Sequence, residues 1–273
     1  MLENFFNMNP VTLGIIASLT AGLATGIGAI PIFFTRNISK KILDILLGAA
    51  AGIMLAATSF SLIVPAIEKG GGGIKGPTIV LLGILAGGFF LDLIDKLFPS
   101  SNLLSNAVDD PPSQKGMFRS IGENPRLRKI WLFVLAITVH NFPEGMAVGV
   151  GFGDGDIANG LSIAIGIGLQ NLPEGLAVAL PLLRENYSKV KAWSVALLTG
   201  LVEPIGGLLG ILLVQISRPL LPFAMAFAAG AMLFVISHEI IPESQNHQGH
   251  SKLVTHALLI GFVIMMFLDC TLS

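Results

Sequence analysis

Two six-residue segments hold the side chains best suited to chemistry. His140-Asn141-Phe142-Pro143-Glu144-Gly145 and Gln170-Asn171-Leu172-Pro173-Glu174-Gly175 share one pattern at an offset of 30 residues. In each, an imidazole or amide precedes a carboxylate by four residues, so the two share one face of a helix. Asn141 and Asn171 sit one step round, roughly 100° away, where they can line an adjacent cavity. Pro143 and Pro173 lack N–H groups and free the carbonyls of Val139 and Leu169. Gly145 and Gly175 let another backbone come close. Glu203 supplies a third carboxylate and Met54 a thioether, although methionine is also a common core filler. Carboxylate and amide oxygens with one imidazole suit Zn²⁺, Cd²⁺, Fe²⁺, Co²⁺ or Mn²⁺ better than Cu⁺ or Ca²⁺. One such segment alone reads equally well as a core histidine on a kinked helix. Its duplication, with a carboxylate in the same place, favours a metal site.

The elements that must position these residues are membrane helices. Hydrophobic residues make up 53% of the 273 positions and charged residues 12%, with a mean hydropathy of +0.78. A soluble domain carries about 25% charged residues, so the solvent of this chain is lipid. A net charge of -1 with no basic face gives no sign of a nucleic-acid partner, and the single cysteine, Cys270, excludes an intramolecular disulfide. Eight segments have the ~20 apolar residues of a spanning helix: 11–34, 42–66, 77–98, 130–152, 157–183, 192–216, 220–242 and 252–272. Glu3 and the lack of a basic stretch before the first of them predict a retained helix rather than a cleaved leader. The polar stretch 99–129 is expected to be a flexible loop within a single transmembrane domain, 1–273. Both motifs fall ~15–26 Å into a core ~30 Å thick, at a depth where lone carboxylates are costly. Glu203 lies at similar depth. Three carboxylates carry -3, so one divalent ion leaves -1 and two leave +1.

Orientation follows from the basic residues. Thirteen of the sixteen lysines and arginines flank the odd-numbered connections; Lys69, Lys75 and Arg218 flank the even ones. This predicts cytoplasmic odd connections and both termini outside. Trp131 and Trp193 fit interfacial anchors. An offset of 178 aligns the first three spans with the last three: Gly22, Leu23, Ile27 and Gly28 match Gly200, Leu201, Ile205 and Gly206, and Ala50-Ala51-Gly52 with Met54 matches Ala228-Ala229-Gly230 with Met232. The expected fold is an all-α polytopic membrane protein in which spans 1–3 and 6–8 form an inverted repeat around the central pair 4–5, an arrangement typical of secondary transporters. Shared small-residue packing is the competing explanation. Gly87-Gly88 and Gly206-Gly207 could pack within the chain or between protomers of a homodimer.

HNFPEG followed by QNLPEG resembles the ZIP (Zrt/Irt-like) family of zinc and iron transporters, its bacterial members most, and the resemblance covers nearly the whole chain. It implies import of divalent metal into the cytoplasm, across a bacterial inner membrane, through a two-metal site with bridging glutamates. One position would use Met54, His140, Glu144, Gln170 and Glu174; the other Asn141, Glu144, Asn171, Glu174 and Glu203. Many members have histidine where this chain has Gln170, and some have aspartate at Asn171, so double occupancy is the weaker part of the transfer. Ser61 and Glu68 stand where the resemblance suggests an outer entrance, although Glu68 is equally a solvated helix end. His238, Glu239, Glu243, His247 and His250 could form a descending ladder of weak ligands on the cytoplasmic side. Asp92, Asp95 and Asp269, near span ends, are expected to be wet. Two other functions share the features of the site. A passive channel would differ only in kinetics. An intramembrane metalloenzyme is disfavoured because neither HExxH nor paired Glu-x-x-His motifs occur.

Overall fold

The computed structural model describes residues 9–35, 38–97, 125–153, 155–245 and 250–272. Among these, all regular structure is helical, and eight helices are long and apolar enough to cross a membrane. They are Pro10–Phe33 (α1), Lys40–Lys69 (α2), Lys75–Ile94 (α3), Phe133–Gly153 (α4), Ile157–Arg184 (α5), Lys189–Ile216 (α6), Arg218–Gln245 (α7) and Ser251–Thr271 (α8). Each expected span coincides with one of them, in order. Helical structure leading into α4 already starts at Pro125, so the end of the expected 99–129 loop is helix. Proline is well placed there, because its fixed φ suits the first turn and its missing N–H costs no bond. The rest of that loop lies outside the described residues.

Side-chain caps set several helix starts. Asn9 accepts from the Val11 amide at 2.9 Å, Ser39 from Ile42 at 3.3 Å, Asp156 from Asn159 at 3.1 Å and Ser188 from Lys191 at 3.3 Å. Each satisfies one of the donors that a helix leaves unpaired. α4 and α5 run as α-helix through Pro143 and Pro173. A proline removes one internal bond, and close packing on every side holds the rest of the ladder. The irregular turns lie elsewhere. α2 widens into a π-helix over Ala57–Ile63, α7 does so over Ile236–Ile240, and α6 breaks at residues 201–202 into Lys189–Gly200 and Glu203–Ile216.

Buried positions make up 72% of the α4 window and 67% of the α5 window, but only 22% in α3 and 28% in α8. The central pair is therefore enclosed, and α3 and α8 are peripheral. Exposed Leu81, Leu82, Phe89, Ile260 and Phe267 on those outer helices suit contact with lipid tails. The most extensive pairings are α1 with α5, α4 with α6, α2 with α8 and α3 with α7.

Close backbone approaches recur at matching positions. A Cβ on Gly28 would overlap the Leu172 carbonyl, and one on Gly206 would overlap that of Phe142. Gly175 lies in the same way against the carbonyl of Thr25, and Gly145 against that of Glu203, while Gly22 and Gly200 face each other. Only glycine lets two backbones come this near. Gly206, Gly207 and Gly87 are thus occupied within the chain, the first of the two arrangements open to those faces.

The connections alternate between two ends, as eight crossings require. His250 meets Asp44 at 2.9 Å, the Lys189 ammonium donates to the Phe33 carbonyl at 2.6 Å, and the Trp131 indole donates to the Tyr187 hydroxyl at 3.2 Å. These ties gather the odd connections. At the other end Lys69 meets Asp156 at 3.4 Å. The Trp193 indole donates to the Gly26 carbonyl at 2.9 Å, so both tryptophans, expected at the interface, also tie the fold together.

Candidate metal site

Glu144, Gln170, Asn171, Glu174 and Glu203 are all buried, with at most 1% of their surface exposed. α4 and α5 bring the two motifs face to face: the Gln170 amide donates to Glu144 Oε1 at 2.6 Å. α6 adds Glu203 from the first residue of its second half, where the positive end of a helix dipole lies beneath the carboxylate. The Asn171 amide donates to Glu203 Oε1 at 2.6 Å and to the Ala21 carbonyl at 2.7 Å, joining α1, α5 and α6. Glu144, Glu174 and Glu203 are near enough for Glu174 to repel both of the others.

The atoms left over are the informative ones. His140 Nδ1, both amide atoms of Asn141, Glu144 Oε2, Gln170 Oε1, Asn171 Oδ1, Glu174 Oε2 and Glu203 Oε2 are buried without a hydrogen-bond partner. Elsewhere among the described residues, only Thr25 Oγ1 and Asn159 Nδ2 are in that condition. Each unpaired buried polar atom costs about 1–3 kcal/mol, and native structures hold few of them. Six of these atoms are oxygens, on residues of the two motifs and on Glu203. Among the described residues, however, no three His, Cys, Asp or Glu side chains converge closely enough to hold an ion by themselves. A cation held there would need the amide oxygens of Asn141, Gln170 and Asn171 as well, or a closer approach of the carboxylates.

His140 ties this cluster to α7. Its Nε2 meets Glu239 Oε1 at 2.9 Å, reaching into the π turn of α7. Met54 is fully buried in α2 just before the other π turn. Its counterpart Met232 accepts the Thr58 hydroxyl at 3.9 Å.

The residues of the expected route divide. Ser61 is buried in the α2 π turn and donates to Asp269 Oδ1, which also accepts from Ser162 at 2.8 Å. Asp269, expected to be wet, is instead 6% exposed, because two hydroxyls from neighbouring helices replace its water. Glu68 is exposed, and Asp92 pairs with Lys96 at 2.6 Å near the end of its helix. Glu239 reaches the site through His140, whereas His238 stacks on Phe234 (ring centroids 5.1 Å apart) and faces a groove between α3 and α7. Glu243 is half-buried, and His250 holds the buried Asp44. His247 lies outside the described residues.

Sequence reasoning passed over Asp44 and Thr25. A carboxylate early in an apolar span was a signal for the first, and the offset of 178, which pairs Thr25 with Glu203, was one for the second.

An eight-helix membrane bundle with carboxylates and amides buried between its helices has the architecture of the polytopic membrane carriers. The sequence profile of the ZIP zinc transporter family matches residues 121–269. The chain is 45% identical to zinc transporter GufA of Myxococcus xanthus, over 95% of this chain and 99% of that one. It is 39% identical to zinc transporter ZIPB of Bordetella bronchiseptica, over 99% and 84% of the two chains. It is 36% identical to zinc transporter ZIP11 of Xenopus tropicalis, over 97% and 98%. The chain belongs to the ZIP family of zinc transporters. It is therefore a carrier of divalent metal across a membrane rather than an enzyme.

Proposed function

We propose that this protein imports divalent transition-metal ions, zinc foremost, into the cytoplasm through the HNFPEG and QNLPEG cluster at the bilayer midplane. The observation that carries the reading is the set of unpaired buried donors on His140, Asn141, Glu144, Gln170, Asn171, Glu174 and Glu203. Their chemistry suits Zn²⁺, and Cd²⁺, Fe²⁺, Mn²⁺ or Co²⁺ after it, and the family relatives are named as zinc transporters. Glu144, Glu174 and Glu203 bind the ion together with the amide oxygens, and His140 completes the shell when it leaves Glu239. One ion is the occupancy that leaves the cluster's charge nearest to balance with a proton also present.

The scaffold we infer is an inverted repeat, with α1–α3 and α6–α8 related about an axis through α4 and α5. Several features support it. The main helix pairings interchange under the two offsets, as do the contacts of Gly28 with Leu172 and Gly206 with Phe142. The two π turns fall at matching positions. Rocking of one half against the other would then open the cluster to either side. The lysine and arginine distribution supports termini outside, in a bacterial cytoplasmic membrane.

Reconstitution provides the test. Purified protein in liposomes should pass Zn²⁺ or Cd²⁺ in a saturable manner, and Glu174→Ala and His140→Ala should each abolish that flux. Undiminished flux in both variants would remove the cluster from the transport path.

A further inference from the structure

At the end of the molecule that gathers the even connections, a cavity of about 630 Å³ opens between the end of α2 and the starts of α3 and α7. Its wall carries Lys69, Lys75 and Arg218, over a floor of Ile79, Leu221 and Pro222. Those are the three lysines and arginines that the even side possesses. Sixteen such residues are spread along the chain; on the side that membrane proteins keep poor in them, all three converge on one hollow.

Lys69 meets Asp156 at 3.4 Å, which brings one carboxylate to the rim. Neither Lys75 nor Arg218 belongs to an ion pair among the described residues. Holding cations together without an anion between them is unfavourable. The helical segment Lys75–Leu97 also begins here, and its positive end adds to the field. Pro219 and Pro222 have no N–H to offer, so recognition falls to the side chains. An arginine fork beside a lysine point charge matches the oxygens of a phosphate.

We propose that this cavity binds the phosphodiester headgroup of an anionic glycerophospholipid from the leaflet on that side. The position at the ends of three spanning helices puts the cations at headgroup level, and the Ile79, Leu221 and Pro222 floor receives the glycerol and upper acyl carbons. A free phosphate would have no use for that floor. The bound lipid would fasten α3 to α7, one of the main helix pairings, at the membrane surface. The inference needs the membrane-spanning fold but not the metal site.

Native mass spectrometry of the intact protein, kept with a chelator, tests it by adding phosphatidylglycerol or phosphatidylcholine in equal amounts. The wild type should retain phosphatidylglycerol over phosphatidylcholine by roughly thirtyfold, the effect of two cations at a lipid surface. The double variant Lys75→Gln/Arg218→Gln should retain both equally, with unchanged helicity and zinc flux. Arg218→Lys should keep part of the preference. Millimolar inorganic phosphate should leave phosphatidylglycerol bound. Equal retention of the two lipids by the wild type, or a preference that survives the double variant, overturns the proposal. Displacement of the lipid by inorganic phosphate overturns it as well, assigning the cavity to a soluble anion.

Discussion

If the cluster is built for a cation, it should weaken the protein when no cation is supplied. Glu203 tests this most cleanly, because its two oxygens are in different states: Oε1 accepts from Asn171 at 2.6 Å, while Oε2 is buried and unpaired. Glu203→Gln can keep the first bond through its carbonyl oxygen. It removes a carboxylate that Glu174 repels, and it replaces the unpaired oxygen with a donor facing an acceptor-rich cluster. The relief should be about 1–3 kcal/mol, the cost of one unsatisfied buried polar atom. For a chain of this size that raises the metal-free melting temperature by about 2–10 °C. Zinc should act in the opposite sense. At a hundredfold excess over Kd it stabilises the wild type by about 2.7 kcal/mol. The variant, having lost a ligand, should gain less than half of that. The assay is thermal unfolding in detergent, first with chelator and then with graded Zn²⁺. A variant that melts at or below the wild type without metal, and keeps the full zinc shift, would refute the reasoning.

Three further outcomes are expected. Glu239→Ala removes the acceptor that holds His140 Nε2, so zinc should bind about tenfold tighter in competition with a chelating dye, the worth of one charged hydrogen bond; unchanged or weaker binding would show that the pair does not compete with the ion. Gly175→Ala drives a methyl group into the Thr25 carbonyl and should cost about 1–3 kcal/mol, read as a lower melting temperature with and without zinc; an unchanged melting temperature would mean that α1 and α5 separate at no cost. Cys270, the single cysteine and exposed near the end of α8, should react with a membrane-impermeant maleimide in right-side-out vesicles and not in inverted ones; labelling confined to inverted vesicles would reverse the orientation.

Helix existence and order were legible because a spanning helix must satisfy its own backbone and is therefore written as a long apolar run. The three carboxylates that stand out were legible for a related reason: Glu144, Glu174 and Glu203 lie in apolar runs, and all three are buried. Partner choice was not legible. Nothing in the spacing shows that His140 would turn to Glu239 rather than to Glu144, or that Ser61 and Ser162 would take Asp269 out of water. Those choices depend on how α7, α2 and α5 are placed relative to each other. The π turns were hidden as well, since one extra residue per turn leaves no mark on hydropathy.

The proposed repeat makes the chemistry of its unmatched positions meaningful. A strictly two-fold scaffold would offer the cargo identical surroundings from either side and give transport no preferred exit. This scaffold keeps the backbone contacts and changes the side chains. Ser61 and Glu239 occupy equivalent places at the offset of 178, one in each π turn. The first presents a hydroxyl to Asp269, and the second presents a carboxylate to His140. Thr25 stands where the other half has Glu203, and Gln170 where the other motif has His140. In the proposed path, a cation on the Ser61 side would meet the Asp269 carboxylate already held by two hydroxyls, whereas on the other side it would meet Glu239 held by His140. π turns recur at functional sites, and here they lie on the two helices that carry these end residues. If the proposed halves rock against each other, these two turns stand where the movement would be felt, and the side chains they carry would make the two ends of the cluster chemically unlike.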